Sequence, residues 1–318
     1  DATGIREAAR VLNEGGLAAF PTETVYGLGA SLASAAAIER LYRAKGRPAN
    51  HPVIVHIAHA KELGRYVASV PEWAQRLADS LWPGPLTLVG NKCDAVPSTV
   101  TGGRATVGIR VPRHPVALAV LELTGALAAP SANRFGSVSP TTAAHVEADI
   151  GSEIDCVLDG GACEVGVEST IILCTGERPV IVRPGFVTPE VVFKVTGVFP
   201  SVIASVDGGT PGALRSHYAT RAPLCLVPAG EIWARAASGQ GRVGVLTSLV
   251  PPGGLEDRVI VHRIEDSAEE WARHLYAGLR LLDDAGVRII FSHLLPETGI
   301  GLAVNDRLRR AASRKTDE

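Results

Sequence analysis

Polar side chains are concentrated in one nine-residue segment of the chain, Pro21 to Gly29 (PTETVYGLG). It holds the hydroxyls of Thr22 and Thr24, a carboxylate and a phenol, and it follows a short apolar stretch that we predict to be a strand. Ligands of open α/β sheets bind where strands end in such loops, so the segment could bind a small polar molecule. The alternative is a local turn whose glycines permit unusual backbone angles and whose threonines hydrogen-bond to nearby backbone.

Three basic residues could hold an anion. Lys45 and Arg47 lie on either side of a glycine in a KGRP turn at the predicted end of a helix, and Arg110 lies inside an apolar strand that begins at Thr106. Arg binds phosphate or carboxylate through two parallel hydrogen bonds, and Lys acts as a compact point charge. The alternatives are solvated charges that offset the helix dipole for Lys45 and Arg47, and an internal salt bridge for Arg110.

Other polar groups stand next to predicted strands. His51 and His56 flank an apolar run, and a lone histidine in such a place is more often structural than catalytic. Ser131 and Asn133 stand two residues apart after a strand (APSAN), so both could face one ligand. Ser137 to Thr142 (SVSPTT) adds hydroxyls in front of a helix, where backbone amides bind phosphate well and the hydroxyls could also cap the helix.

The second half of the chain offers further candidates. Glu168 and Ser169 begin a predicted strand, and Arg183 ends another. The stretch Ser216 to Ala219 (SHYA) places aromatic side chains in a segment rich in Gly, Ser, Thr and Pro. Such a segment is typical of an interdomain linker, and its aromatic residues could form a lid or simply pack.

Composition limits the classes of function. The 318 residues carry a formal net charge of −2, with 46% hydrophobic and 20% charged residues. This balance is typical of a soluble globular protein and indicates no broad nucleic-acid-binding surface. Five cysteines without a C-x-x-C pair predict neither a metal site nor a disulfide framework, and they favour the cytoplasm. The sequence has no Walker-type phosphate loop, G-x-S-x-G elbow or H-E-x-x-H motif.

Helices and strands are mixed along the chain, which predicts an α/β fold with parallel and antiparallel strand pairs. We expect a first domain at 1–204 with a twisted mixed sheet, a linker or lid at 205–222, and a small doubly wound domain at 223–318. The predicted helices are 5–14, 35–45, 71–82, 115–124, one ending at 148, 267–285 and 303–313. The predicted strands are 17–20, 53–58, 86–89, 106–111, 127–129, 155–158, 169–174, 179–183, 224–227, 243–246, 258–261 and 288–292.

A series of motifs, in this order, resembles the YrdC-like L-threonylcarbamoyladenylate synthases: PTETVYGLG, KGRP, PVIVHI, WPGPLTLV, APSAN, SPTT, ESTI and RPG. The segment TPGALRSHYAT resembles the one that leads, in the long form of these enzymes, to a small Rossmann-like C-terminal domain. The resemblance implies a twisted sheet around a concave, positively charged cavity. It also implies a nucleotidyltransferase of tRNA modification that joins L-threonine, bicarbonate and ATP into threonylcarbamoyl-AMP and releases pyrophosphate.

The resemblance also implies roles for individual residues. The family's active site is marked by K-x-R and S-x-N pairs, which here are Lys45, Arg47, Ser131 and Asn133. ATP would be bound by Arg47, His51, Thr106, Asn133, Ser139, Thr141, Arg183 and Tyr218, the last as part of a lid. L-threonine would be bound by Thr24, His56, Arg110, Ser131 and Ser169. Mg²⁺ would accompany ATP without a dedicated protein site, and the product would pass to a tRNA threonylcarbamoyl transferase complex.

Two other functions are compatible with the same motifs. One is a double-stranded-RNA-binding or ribosome-associated module, against which the pocket motifs and the near-neutral charge count, although weak RNA binding by an enzyme remains compatible. The other is a related carbamoyl transferase with a different acceptor, against which the hydroxyl-rich threonine site and the long-form linker count. An acceptor screen with labelled bicarbonate would separate the second from the synthase.

Overall fold

The computed structural model describes residues 1–203 and 217–313. Among these residues the chain forms two compact units. Residues 1–135 and 139–203 make the first unit, and residues 136–138 with 217–313 make the second. The short Gly136–Val138 segment therefore groups with the second unit, although it lies inside the first unit in sequence.

The predicted linker at 205–222 lies outside the described residues as far as position 216. Its last part, from His217 onward, belongs to the second unit. The division of the chain at 204 and 222 therefore stays a prediction.

The first unit is built on one ten-stranded sheet. Its strands are β1 Ala18–Phe20, β2 Gly27–Ser31, β3 Val55–His56, β4 Leu86–Asn91, β5 Thr106–Arg110, β6 Leu127–Ala128, β7 Cys156–Val157, β8 Thr170–Leu173, β9 Val180–Arg183 and β10 Ser201–Val202. They follow the order β10-β9-β8-β4-β5-β3-β6-β2-β1-β7. The pairs β1–β7, β3–β5, β4–β8 and β9–β10 are parallel and the other pairs are antiparallel, which confirms the predicted mixed sheet.

Helices cover both faces of this sheet at strand β1. Alternate residues of a strand point to opposite faces. Accordingly, Ala18 and Phe20 join an apolar cluster with α1 and α5, whereas Leu17 and Ala19 join the larger cluster that holds α2 and α3. The helices of the first unit are α1 Ala2–Asn13, α2 Ala35–Lys45, α3 Glu72–Leu81, α4 Ser98–Thr101, α5 Pro115–Thr124, α6 Ala143–Ile150 and α7 Pro189–Thr196.

Helix α2 shows how local sequence sets an element that carries site residues. The Ser34 side chain accepts a hydrogen bond from Ala37 N and caps the amino end. Gly46 ends the helix in the left-handed conformation, with a φ of 59° that an L side chain rarely adopts. These two caps confirm the predicted helix at 35–45, and they place Lys45 in its last turn and Arg47 just beyond it.

Some predicted boundaries were wrong for identifiable reasons. The strand predicted at 53–58 pairs regularly only at Val55–His56, because Val53 N bonds instead to Val100 O beside it. Gly27 to Gly29, predicted as loop, form the start of β2. Helix α1 begins three residues earlier than predicted, because the Asp1 carboxylate accepts a hydrogen bond from Gly4 N.

The second unit is a small parallel α/β domain. Its strands β11 Leu224–Leu226, β12 Val243–Thr247, β13 Val259–Arg263 and β14 Ile289–Ser292 lie in the order β11-β14-β12-β13, and every pair is parallel. Its helices are α8 Ile232–Ser238, α9 Ala268–Asp284 and α10 Gly301–Ala312. This arrangement confirms the predicted doubly wound domain. Across the described parts of both units, no helix is long and apolar enough to cross a membrane.

Candidate functional site

The first motif forms a buried turn that fixes one hydroxyl. Thr22 Oγ1 donates a 2.6 Å hydrogen bond to Val25 O and lies 2.8 Å from Thr24 Oγ1. Because Thr22 has one hydroxyl proton, the Thr24 hydroxyl must be the donor of the second bond. The local turn considered for this motif is therefore present. It leaves the lone pairs of Thr24 Oγ1 available to accept a hydrogen bond from a ligand.

Residues 21–26, here called the PTET loop, hold three other motifs in place through backbone hydrogen bonds. Tyr26 N donates to Pro140 O at 2.9 Å, and Tyr26 O accepts from Ala132 N at 2.8 Å. Val165 N donates to Glu23 O at 2.8 Å on the other side of the loop. The SPTT, APSAN and 163–169 segments, far apart in sequence, therefore meet at the PTET loop.

A buried ion pair joins this loop to β5. Arg110 Nη2 lies 2.8 Å from Glu23 Oε1, with the two side chains only 5% and 2% exposed. Glu23 Oε2 accepts a 3.0 Å hydrogen bond from Arg113 N. In the sheet order, β1 and β5 are four strand spacings apart, which is about 19 Å in a flat sheet. The contact therefore brings the PTET loop across the sheet, and it realises the internal salt bridge considered for Arg110.

His56 lies next to this pair. It stands opposite Arg110 in the parallel pair β3–β5, and it is 3% exposed. Burial, and then the charge of Arg110, hold the pKa of His56 well below its ordinary value of 6.5. Its Nδ1 has no hydrogen-bond partner among the described residues. A neutral imidazole in this position can accept a hydrogen bond from a ligand.

We expect the free energy of unfolding to fall as the pH drops below about 6.5, and His56 to cause part of the fall. The folded protein keeps the ring neutral, whereas the unfolded chain binds a proton there, so acid favours unfolding. One such group changes the free energy of unfolding by up to about 1.4 kcal/mol per pH unit. Denaturant unfolding of the parent and of His56→Gln, measured at several pH values, checks this. An equal slope in both proteins would contradict the expectation.

A second hydroxyl cluster lies at the beginning of β8 and the end of β9. Ser169 Oγ lies 2.8 Å from Thr87 Oγ1 and accepts a 3.1 Å hydrogen bond from Arg183 Nη2. Arg183 Nε donates to Ser169 O at 3.0 Å. In the adjoining residue, Glu168 Oε1 accepts a 2.6 Å hydrogen bond from Ser139 Oγ. The ESTI, RPG and SPTT motifs thus form one bonded group, in which Ser139 presents lone pairs rather than its proton.

Lys45 ties the end of α2 to the APSAN loop. Its Nζ donates 2.5 Å hydrogen bonds to the backbone oxygens of Ser131 and Asn133, and the side chain is 2% exposed. Burial, and then the charge of Arg47, lower the pKa of Lys45 well below 10.5. The two carbonyls favour the charged form and oppose this shift. Since an ammonium has three protons, the third can reach a ligand anion.

Arg47 is anchored by the turn that follows α2. Its Nη2 donates to Pro52 O at 2.7 Å and its Nε to His51 O at 3.2 Å. The guanidinium lies over the ring of Phe135, 5.1 Å from the centroid, and the His51 ring packs on the same Phe135 at 5.2 Å. A cavity of about 930 Å³ borders Arg47, between α2 and the 98–103 segment.

The remaining predicted residues lie in different places. Thr141 is buried, and its backbone carbonyl accepts a hydrogen bond from Cys163 N. Thr142, rather than Thr141, caps helix α6. Thr106 is partly exposed at the start of β5. Tyr218 belongs to the second unit, where it has a φ of 61° and is 1% exposed.

Within the second unit the Tyr218 ring packs against three side chains. It stacks on Tyr276 with centroids 5.4 Å apart, and the guanidinium of Arg307 lies 5.6 Å from its centroid. The His217 ring meets its edge at 4.2 Å. The proposed role of Tyr218 as a lid over ATP is untested and stays a prediction.

Sequence reasoning did not single out Glu23, Phe135, Thr87 or Glu168 as partners of site residues. Glu23 stands in the first motif, so its type was visible but its partner was not. Phe135 stands two residues after Asn133, and no periodicity marks it. No cluster of three or more metal-ligating side chains lies in the described parts of the chain.

The chain is similar to known proteins along nearly its whole length. Residues 10–185 match the Sua5–YciO–YrdC family, described as "Telomere recombination", and residues 189–313 match "Threonylcarbamoyl-AMP synthase, C-terminal domain". The threonylcarbamoyl-AMP synthase of Pyrococcus abyssi is 43% identical over 97% of this chain and 94% of its own length. That of Bacillus subtilis is 40% identical over 97% of this chain and 92% of its own.

A solved structure agrees with these relatives. The crystal structure of P. abyssi Sua5 complexed with L-threonine matches with a TM-score of 0.90 at 42% identity. The match covers 97% of this chain and 94% of that chain, so it extends over both units.

Proposed function

The chain belongs to the threonylcarbamoyl-AMP synthase family, and from this premise we propose which of its residues bind each substrate. The enzyme makes threonylcarbamoyl-AMP from L-threonine, bicarbonate and ATP and releases pyrophosphate, the first step of N6-threonylcarbamoyladenosine formation in tRNA. The threonine amine takes up bicarbonate as a carbamate with loss of water. A carbamate oxygen then bonds to the α-phosphorus of ATP while the bond to the pyrophosphate oxygen breaks.

L-threonine binds at the junction of the PTET loop and β5. The observation that carries this assignment is the buried group of Arg110, His56 and Thr24, since these supply a cation and two acceptors from one loop and the ends of two paired strands, β3 and β5. Arg110 binds the α-carboxylate, because a guanidinium matches a carboxylate in geometry and charge. His56 and Thr24 accept hydrogen bonds from the amine and the side-chain hydroxyl. Ser131 and Ser169 complete the site.

ATP binds where the end of α2 meets the APSAN, SPTT and RPG motifs. The third proton of Lys45 and the guanidinium of Arg47 hold the phosphates and the charge that develops as pyrophosphate leaves. The negative charge of a phosphate beside Lys45 would raise the pKa of Lys45 and so offset the lowering caused by burial. The remaining ATP contacts are assigned to His51, Thr106, Asn133, Ser139, Thr141, Arg183 and Tyr218.

The hydroxyl of Ser139 refines this assignment. It donates to Glu168, so toward a ligand it can only accept. Ser139 therefore suits a ribose hydroxyl or the adenine amino group better than a phosphate oxygen.

Mg²⁺ enters with ATP as part of that substrate, bound by its phosphates and by water. The carboxylates next to the site have other partners, since Glu23 faces Arg110 and Glu168 accepts from Ser139. The product is a reactive mixed anhydride, which we propose is passed to a tRNA threonylcarbamoyl transferase complex. We also propose a cytoplasmic location, where ATP, bicarbonate and tRNA are available, and at most weak RNA binding.

The function is tested by release of pyrophosphate from ATP and bicarbonate with and without L-threonine. We expect release that depends on threonine, little with serine and none with valine. A site that hydrogen-bonds a substrate hydroxyl rejects an analogue lacking it by about 10⁴-fold or more. The absence of release with any amino acid, together with RNA binding that weakens with salt, would contradict the synthase and indicate a binding module.

A further inference from the structure

The Glu23–Arg110 pair is buried but incompletely bonded. Arg110 Nη2 and Glu23 Oε1 are 2.8 Å apart, yet neither forms an aligned hydrogen bond within the described residues. The contact is therefore an ion pair whose N–H groups point elsewhere. Arg110 Nε is likewise buried without a hydrogen-bond partner there. Buried polar atoms are bonded in the great majority of cases, so these three atoms indicate a ligand.

The three atoms are arranged for two opposite charges. Nε and Nη2 form one edge of the guanidinium, and such an edge binds a carboxylate through two parallel hydrogen bonds. Glu23 Oε1, beside Nη2, can accept from a cationic donor. The other carboxylate oxygen, Oε2, is already held by Arg113 N at 3.0 Å, which fixes the orientation of the Glu23 side chain.

We propose that Glu23 binds the α-ammonium group of L-threonine while Arg110 binds its α-carboxylate, so that the pair recognises a free amino acid as a zwitterion. This inference rests on the threonine site proposed above. It adds a residue to that site, one that distinguishes the amino acid from an analogue that lacks the amine.

The geometry accommodates both contacts. In a free amino acid the ammonium nitrogen and the nearer carboxylate oxygen are separated by roughly 2.7–3.2 Å, about the length of a hydrogen bond. Glu23 Oε1 and Arg110 Nη2 are separated by 2.8 Å. The ligand can therefore lie alongside the pair with four charges alternating in sign around a square, each next to two of opposite sign.

The charges of the pair explain why Glu23 would contact the substrate directly and not only hold Arg110 in place. A carboxylate 2.8 Å from Arg110 neutralises that guanidinium and repels an incoming carboxylate. Such a pair is a poor site for a simple anion. It becomes a good site when the anion carries its own cation to place against Glu23.

The test compares L-threonine with (R)-3-hydroxybutanoate, which keeps the carboxylate and the hydroxyl but lacks the amine. Binding to the full chain is measured by calorimetry for the parent and for Glu23→Gln. We expect the parent to bind threonine at least about tenfold more tightly, as one charge-assisted hydrogen bond predicts. The affinity of Glu23→Gln for threonine should be lower than that of the parent by about the same factor. Its affinity for 3-hydroxybutanoate should equal or exceed that of the parent.

The matched control is Glu164→Gln. Glu164 is an exposed carboxylate 2.9 Å from Arg113 Nη2, and its loss should leave both affinities unchanged. An equal weakening of both ligands in Glu23→Gln would overturn the proposal, since it would mean that Glu23 only supports Arg110. If Glu23→Gln fails to fold, the parent alone decides, because equal affinity for the two ligands would also overturn the proposal. Threonine-dependent pyrophosphate release by the parent tests the proposed function separately.

Discussion

Replacing Lys45 or Arg47 by methionine is expected to lower kcat by about 10²–10³-fold each, because each removes a cation that stabilises the charge developing on the phosphates. The two variants should differ in stability. Lys45 satisfies two backbone carbonyls, so Lys45→Met should also lower the free energy of unfolding by about 1–3 kcal/mol. Arg47 is only partly buried, so Arg47→Met should lower the free energy of unfolding by less than Lys45→Met does. Threonine-dependent pyrophosphate release and denaturant unfolding measure the two effects.

Arg43→Met is the matched control for both variants. Arg43 lies in the same last turn of α2 but is exposed, and it is not among the residues assigned to ATP or threonine, so its replacement removes a nearby positive charge while every assigned ligand is kept. Release at the parent rate is expected for this variant. Full activity in a Lys45→Ala, Arg47→Ala double variant would contradict the assignment of these two residues.

The helices and strands that carry the site could be predicted wherever neighbouring residues determine where they begin and end. Helix α2 begins at a serine cap and ends at a left-handed glycine, and both signals are visible in the sequence. Strand β3 was predicted too long, because an apolar run does not reveal which of its residues find a neighbouring strand. Pairing partners lie far away in the chain, and periodicity carries no information about them.

In the candidate site, likewise, the types of the residues could be predicted from the sequence but their contacts could not. The residue types of the PTET loop, the KGRP turn and the APSAN loop indicated a polar, anion-binding pocket. The partners of these residues could not be predicted. An internal salt bridge was considered for Arg110, but nothing identified Glu23 as its partner, because the two residues are 87 positions apart and only the folded sheet brings them to 2.8 Å. The partners of Lys45 are backbone oxygens, which every residue has, so no sequence signal distinguishes them.

Replacing Arg110 by methionine is expected to have the largest combined effect on activity and stability. It removes the proposed carboxylate ligand, so kcat/KM for threonine should fall about 10²–10³-fold. It also leaves Glu23 as a buried charge without its cation, which should lower the free energy of unfolding by about 3–5 kcal/mol. Pyrophosphate release at varied threonine concentration and denaturant unfolding measure the two losses.

Two further variants separate the structural loss from the functional one. Arg110→Met combined with Glu23→Leu removes both charges, so most of the stability should return while threonine binding stays lost. Arg110→Lys keeps a cation for Glu23 but cannot form two parallel hydrogen bonds to a carboxylate, so it should fold and still bind threonine weakly. Parent-like threonine affinity in either protein would contradict the carboxylate role of Arg110. An Arg110→Met protein as stable as the parent would contradict the burial of an uncompensated charge at Glu23.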